Sequence, residues 1–229
     1  MLIFACLLTG VLIINGLTMQ GLEWAFGHPR FVDQRFAPPA KRRMDAATRR
    51  RLNAVNSVLS VIILYAALLG LYPLLFTDAA VPLWKAAVQV VGVLAVYDLL
   101  YYGLHRLMHH RKLMRFVHRV HHMARNPSAV DSLWVHPVEL VAGLVVLLMS
   151  TGLVALGGPI HIGAFAVAFL VYSEMNLFIH SGLRFRGPLA VFNGVTESHF
   201  AHHHVDVNRN FASLSPIWDA VFGTRHRAS

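Results

Sequence analysis

Five stretches of this chain are apolar over close to the length that a lipid bilayer demands. They run from Leu2 to Met19, Ala54 to Phe76, Val81 to Leu104, Pro137 to Gly157 and Ile160 to Ile179. A helix needs about 20 apolar residues to cross a ~30 Å hydrocarbon core. Inside lipid, a helix also satisfies its own backbone hydrogen bonds, as an isolated strand cannot. With 56% hydrophobic and 14% charged residues, the chain lies outside the usual range of soluble domains. The fold class expected is all-α: a polytopic membrane protein of about four to five membrane-embedded helices, forming one domain over residues 1–229. The first block has no basic stretch before it and no evident cleavage site, so it is expected to be a retained helix.

The charges give these helices a direction. Basic residues gather in three segments. The first holds Arg30, Arg35, Lys41, Arg42, Arg43, Arg49, Arg50 and Arg51. The second holds Arg106, Arg111, Lys112, Arg115, Arg119 and Arg125, and the third Arg184, Arg186, Arg209, Arg225 and Arg227. The connection around Asp78 and the turn Gly157-Gly158-Pro159 carry no basic residue. If all five blocks cross, every basic segment falls on one side, which the positive-inside rule makes cytoplasmic, with the N-terminus outside. Blocks four and five could instead dip in and return as a hairpin, and the charge rule does not separate the two. Contact with anionic headgroups explains the net charge of +9 as well as nucleic acid would, so no nucleic-acid partner is expected. Ala37-Pro38-Pro39-Ala40 reads as a loop at the membrane surface. The lone cysteine, Cys6, excludes an intrachain disulfide and a thiolate metal site and reads as a packing residue.

Thirteen of the fifteen histidines lie between His105 and His204, and their spacing is not random. His105 and His109 form an HxxxH. His118, His121 and His122 form an HxxHH, and His199, His202 and His203 form another. On a helix, residues at i, i+3 and i+4 share a face, so each motif is expected to offer two or three imidazoles to a common point. Neutral imidazole suits Fe, Zn, Cu or Ni, and eight such ligands on three segments suit two metals better than one. A solvated basic surface is the bland alternative, and it does not account for the repeated spacing. His180, at the end of the fifth block, reaches the same face as a further candidate ligand. His136 stands at the start of the fourth block, where an outer role or a structural one fits equally. His110 and His204 point away from their neighbours, and His28, His161 and His226 are not expected to ligate.

Carboxylates offer acceptors for the second N–H of ligating rings. The candidates are Asp98, Asp131, Glu139, Glu174, Glu197, Asp206 and Asp219. Asp98 stands out because an ionisable residue inside an apolar block is a functional candidate, although helix packing beside Tyr97 and Tyr101 explains it equally. Tyr101, Tyr102, Trp134, Tyr172 and Phe178 either line a route for an apolar substrate or form an interfacial belt. The rival to an enzyme is a histidine-rich membrane protein that binds or transports metal without oxidase activity. A mostly apolar interior counts against ion passage. Zinc hydrolysis uses three ligands plus water, and haem one or two axial ones, so both use fewer histidines than are present.

Taken together, the motifs resemble the fatty acid hydroxylase and sterol desaturase superfamily of membrane di-iron oxidases. The resemblance rests on His105-Arg-Leu-Met-His109, His118-Arg-Val-His121-His122, Val135-His136-Pro137-Val138-Glu139, His180-Ser-Gly and His199-Phe-Ala-His202-His203. It is completed by Asn210-Phe211 and by Ile217-Trp218-Asp219-Ala-Val-Phe222-Gly223-Thr224. It spans residues 97–224. It implies a cytoplasmic helical cap holding a histidine cage, two iron ions cycling between Fe2+ and Fe3+, and O2 as co-substrate. It further implies hydroxylation or desaturation of a C–H bond in a sterol, fatty acyl or related lipid. Ligand roles carry over to His105, His109, His118, His121, His122, His180, His199, His202 and His203. His136, Asp98, Asn176 and Asp219 are outer candidates; Asn176 stands where some lipid hydroxylases carry a further histidine. No flavin, cytochrome b5 or ferredoxin signature occurs, so electrons are expected from a separate donor of ferredoxin or cytochrome b5 type with its reductase.

Overall fold

The computed structural model describes residues 1–38 and 45–226, the side chain of Leu68 excepted. Lys41, Arg42, Arg43, Arg227 and the Pro39-Ala40 half of the expected surface loop lie outside the described residues. Five long helices correspond to the five apolar blocks: α1 (Leu2–Gly27), α2 (Ala46–Leu75), α3 (Leu83–Met108), α5 (Pro137–Ala155) and α6 (Ile162–Ile179). Shorter helices follow the third and fifth: α4 (Arg111–Leu113), α7 (Asn193–His204) and α8 (Ile217–Val221). Two-residue strands β1 (Phe76–Thr77) and β2 (Ile160–His161) pair in parallel.

Four helices, α1, α3, α5 and α6, are long and apolar enough to cross a membrane, and α2 makes a fifth if its two limbs count as one span. Those limbs meet at 44° between Ala67 and Leu69. Pro73 lies inside α2, and a proline ring clashes with the carbonyl four residues earlier, which here belongs to Leu69. The helices overrun their apolar blocks at one end. Polar residues such as Glu23 extend α1, and Asp45 starts α2 eight residues before its apolar run by accepting from the amides of Ala47 and Thr48.

The five helices pack in the order α1–α6–α3–α5–α2, and Thr9 closes the circuit by hydrogen-bonding the Tyr65 hydroxyl at 2.6 Å. Phe4, Leu8, Val93, Leu147, Ile160, Phe165 and Phe169 fill the interior. Leu74, Leu83 and Leu156 stay exposed at 72%, 86% and 84%, as side chains facing hydrocarbon tails would.

The two ends of the bundle differ. At one end Phe4 packs on Phe76 and Phe165, and β1 pairs with β2. Because α2 and α5 both reach that pairing, the fourth and fifth blocks run as deep as the others, and the shallow-hairpin alternative falls. The other end carries all the described basic segments and the histidine motifs. There Leu22 and Phe26 of α1 pack with Ala129, Leu177 and Leu183, and α2 grips the segment after the second motif. Arg49 pairs with Asp131 at 2.6 Å, and the Asn56 amide donates to the carbonyls of Leu133 and Val135 at 2.9 Å each. Asn56 is fully buried, so Asn56→Ala strands two carbonyls. This substitution is expected to cost about 2 kcal/mol, read as a lowered unfolding midpoint in detergent; an unchanged midpoint would contradict the grip.

Candidate metal centre

The nine histidines named as ligands from the sequence converge at the basic end, in two groups. His105, His109, His118, His122 and His202 form one; His121, His180, His199 and His203 form the other. Within each group the offered nitrogens lie within 4.8 Å of one another. Seven of the nine side chains are buried, and His109 and His122 are half-buried.

Each element delivers its rings differently. His105 lies in the last turn of α3 and His109 caps it. His118, His121 and His122 follow a π-helical turn (Met114–His118) and a 3-10 turn (His121–Met123) rather than a regular α-helix. His180 caps α6, and His199, His202 and His203 lie on α7. Of the two or three imidazoles expected at a common point from each HxxHH, two are found there and the third goes elsewhere. His118 and His122 join the five-membered group while His121 joins the four-membered one, and His199 and His203 join the four while His202 joins the five. For the motif on α7, a regular helix, helical arithmetic gives the reason. At about 100° per residue, i and i+4 differ by about 40°, whereas i+3 diverges from i+4 by about 100°. Each motif therefore ties the two groups together.

The nitrogens face inward at short range. In the five-histidine group, His118 Nε2 lies 3.2, 3.0 and 3.0 Å from the Nε2 atoms of His105, His109 and His122. In the four-histidine group, His121 Nε2 lies 3.2 and 3.1 Å from those of His180 and His203, and His199 lies 2.9 Å from His180. Two nitrogens each about 2.1 Å from a shared ion and at right angles would be about 3.0 Å apart.

The opposite ring nitrogens decide what sits between them. His105 Nδ1 donates to the Phe211 carbonyl at 2.7 Å, and His118 Nδ1 shares a hydrogen bond with Glu139 Oε1 at 2.8 Å. His121 Nδ1 donates to the Trp134 carbonyl at 3.3 Å, and His180 Nδ1 to the Asn176 carbonyl at 2.7 Å. His202 Nδ1 donates to the Arg209 carbonyl at 2.6 Å. A neutral imidazole that donates through Nδ1 presents only a lone pair at Nε2. The pair His121–His180 thus opposes lone pair to lone pair at 3.2 Å, and His105 turns a lone pair into the other group. His202 Nε2 is likewise buried with no partner inside the protein. A cation between the nitrogens removes the conflict, so the residues present fit bound metal.

Charging the rings is not an alternative. Burial, and then the neighbouring histidines, push the His118, His121, His122, His199, His202 and His203 imidazoles far below their ordinary value. Burial brings His180 down to about 4, and burial with His105 nearby brings His109 to about 3. At neutral pH the cage is uncharged and free to take a metal.

The acceptor carbonyls are themselves held. Asp219 accepts from the amides of Phe211 and Ala212 at 2.8 and 3.0 Å and from the Thr224 hydroxyl. Asp98 accepts from the amide of Leu214 at 3.1 Å and the hydroxyl of Ser215 at 2.6 Å. These two buried carboxylates clamp the segment that runs beneath His105. Asn210, left-handed at φ 57, turns the chain so that carbonyls on either side of it, Arg209 and Phe211, each meet an imidazole. Gly182, in His180-Ser-Gly, has φ +68, and a Cβ there would lie 2.5 Å from the Pro127 carbonyl oxygen; only glycine fits that turn.

The expected outer residues are accordingly reassigned. Asp98 and Asp219 hold backbone, not imidazole. Asn176 joins neither group with its side chain and supplies only its carbonyl to His180. His136 starts α5, accepting from the Val138 amide at 3.2 Å. Among the carboxylate candidates Glu139 meets an imidazole, whereas Asp131 pairs with Arg49, Glu197 with Arg184, and Asp206 lies 3.9 Å from Arg209. Glu174 bonds Thr18. Tyr101 and Tyr172 line a cavity beside the four-histidine group; Tyr102 instead packs on Phe222, and Phe178 on Phe192. Tyr97, Ser132 and Ser213 also line that cavity and had no motif to mark them.

Membrane-length helices gathering nine histidines at one end define an integral membrane protein with a histidine-rich centre. Residues 90–224, more than half of the chain, match the family described as fatty acid hydroxylase, and the chain belongs to that family. It is 28% identical over 144 residues to methylsterol monooxygenase 1 of Rattus norvegicus, covering 59% of this chain and 46% of the relative. It is 28% identical to the C-4 methylsterol oxidase of Schizosaccharomyces pombe, covering 62% and 49%, and 28% to lathosterol oxidase of Mus musculus, covering 62% and 46%. The chain spans about half the length of these relatives. No solved structure gives a significant match.

Asp219→Ala frees the Phe211 and Ala212 amides and is expected to weaken metal binding about ten- to a hundredfold, measured against a competing chelator; unaltered affinity would contradict the clamp. The lowered histidine values also fix a pH dependence for the metal-free protein. Stability is complete above the unfolded value of about 6.5 and is lost as pH falls toward about 4 and below, because the buried rings must then charge. A detergent-solubilised unfolding midpoint that stays flat across that range would contradict it.

Proposed function

We propose that the chain is a membrane di-iron oxygenase that uses O2 to hydroxylate or desaturate a C–H bond of a lipid, with sterols the first class to test. The observation that carries this reading is that each of two histidine groups has two rings fixed by carbonyls, His105 and His202 in one and His121 and His180 in the other, with their acceptor nitrogens turned inward. The names of the relatives, methylsterol monooxygenase and lathosterol oxidase, support oxidation of a sterol. One iron would be held by His105, His109, His118, His122 and His202, the other by His121, His180, His199 and His203. When bound, two redox-active irons supply the electrons and O2 chemistry that an unactivated C–H bond requires.

The chain's own part is to hold, orient and exclude. Backbone carbonyls of Trp134, Asn176, Arg209 and Phe211 fix the imidazole tautomers, and burial keeps water from the rings. The cavity between α3, α5 and α6 presents a lipid to the four-histidine group. Exposed Arg106, Arg111, Lys112, Arg115 and Arg119 form a basic surface suited to an acidic electron-donor protein, on the side that the charge rule makes cytoplasmic. Metal transport is disfavoured by the polar groups within the bundle. Gln89 is tied to the Pro159 carbonyl, and Ser150 and Thr151 bond carbonyls of their own helix.

The test is turnover of sterols by the iron-loaded protein with a chemical reductant and isotopically labelled O2. The expected product is a sterol carrying the label or one lacking two hydrogens. His122→Ala is expected to lower its yield more than about a hundredfold, beyond the loss of an outer partner. No oxidised lipid, or oxidation indifferent to His122→Ala, would defeat the reading.

A further inference from the structure

A cavity of about 50 Å³ lies between α3, α5 and α6 and touches His121 and His180 of the four-histidine group. None of the five histidines of the other group lines it. Its remaining wall has two characters. Tyr97, Tyr101 and Tyr172 pack ring against ring on one side. Ser132, Ser213, Glu139 and Asn176 are the other polar residues of the lining, beside Val135, Leu140 and Leu214.

Three of these residues carry unusual polar atoms. Ser132 Oγ, Ser213 Oγ and Glu139 Oε2 are all buried and have no hydrogen-bond partner inside the protein. Buried polar groups are nearly always satisfied, and three unsatisfied ones on residues that line a single cavity mark the place of a hydrogen-bonding guest that a small side-chain rotation would meet. The volume limits that guest. A water needs about 10–15 Å³ of such space, so the cavity has room for a hydroxyl and the carbons beside it, not for a whole lipid. No Lys or Arg lines it among the described residues, and Glu139 already stands there. A carboxylate or phosphate head would find no counter-charge, whereas a neutral hydroxyl can donate to Glu139 and exchange hydrogen bonds with both serines.

Gly143 supplies the remaining feature. It is a buried residue of α5 on the cavity wall, yet a Cβ built on it would meet nothing within 4 Å. Space is therefore left open where a side chain would ordinarily pack.

We propose that this cavity binds the hydroxyl end of a lipid alcohol, with Ser132, Ser213 and Glu139 as its hydrogen-bond partners and Gly143 admitting the adjoining hydrocarbon. The proposal rests on the oxygenase reading and adds to it. The lipid enters hydroxyl first, and the carbon presented to the four-histidine group lies close to that hydroxyl rather than far along a chain.

The test uses the iron-loaded full chain in detergent micelles and two probes, a fluorescent sterol with a free hydroxyl and its methyl ether. The wild type is expected to bind the alcohol about tenfold more tightly, as one well-made hydrogen-bond set predicts. Ser132→Ala with Ser213→Ala removes most of that preference, and Gly143→Leu weakens both probes more than about tenfold. Iron per chain stays unchanged throughout. Equal affinity in the wild type, a preference untouched by the serine replacements, or undiminished binding to iron-replete Gly143→Leu overturns the subsite. The serine hydroxyls bond nothing inside the protein, so that pair decides the matter even if Gly143→Leu loses its iron. A wild type that holds no iron while keeping the preference defeats the oxygenase reading and leaves the pocket standing.

Discussion

Nitrogen lone pairs that point at each other across about 3 Å repel, and a protein interior offers no water to separate them. Here that opposition is imposed by the backbone. Carbonyls of Phe211, Trp134, Asn176 and Arg209 take the Nδ1 protons of four rings, and Glu139 pairs with the Nδ1 of a fifth. The rings are left with their acceptor nitrogens converging. Much else in the molecule follows from holding this unfavourable arrangement in place. Asn56 fixes the strand on either side of Trp134, Asp98 and Asp219 clamp the segment from Phe211 to Ser215, and Gly182 turns the chain sharply after His180. A bound cation converts the strain into ligation.

The cross-connection between the two histidine groups gives the site its rigidity. The motif on α7 and the motif after α4 each feed both groups, so neither can shift without disturbing the other. The remaining ligands come from the ends of α3 and α6, which are neighbours in the bundle. The groups also differ. The one with four histidines borders the cavity, while the one with five is backed by the segment from Arg209 to Phe211. This asymmetry gives one group an open cavity beside it and the other a wall of backbone.

Much of this was legible in the sequence, and for physical reasons. Hydrocarbon admits no unsatisfied backbone, so the five blocks appeared as apolar runs and returned as helices. Imidazole clusters are costly unless used, so His105, His109, His118, His121, His122, His180, His199, His202 and His203 stood out and lie together. What was hidden depended on the third dimension. Ring nitrogens are oriented mainly by backbone carbonyls, which have no residue type to read, so the sequence offers Asp98 and Asp219 as imidazole partners where the fold uses them to hold backbone. Ser132 and Ser213 are ordinary serines until the fold sets both beside one cavity. The split of the HxxHH on α7 between two groups was implicit in helical geometry, but it needed a second motif facing the first to become visible.

The central claim is that two groups of histidines each hold one iron. Elemental analysis of the protein purified without oxygen tests it most directly. Two irons per chain are expected, with negligible zinc, and loss of metal when either His121 or His202 is replaced by alanine. One metal per chain, zinc in place of iron, or full iron retention by both variants would contradict it.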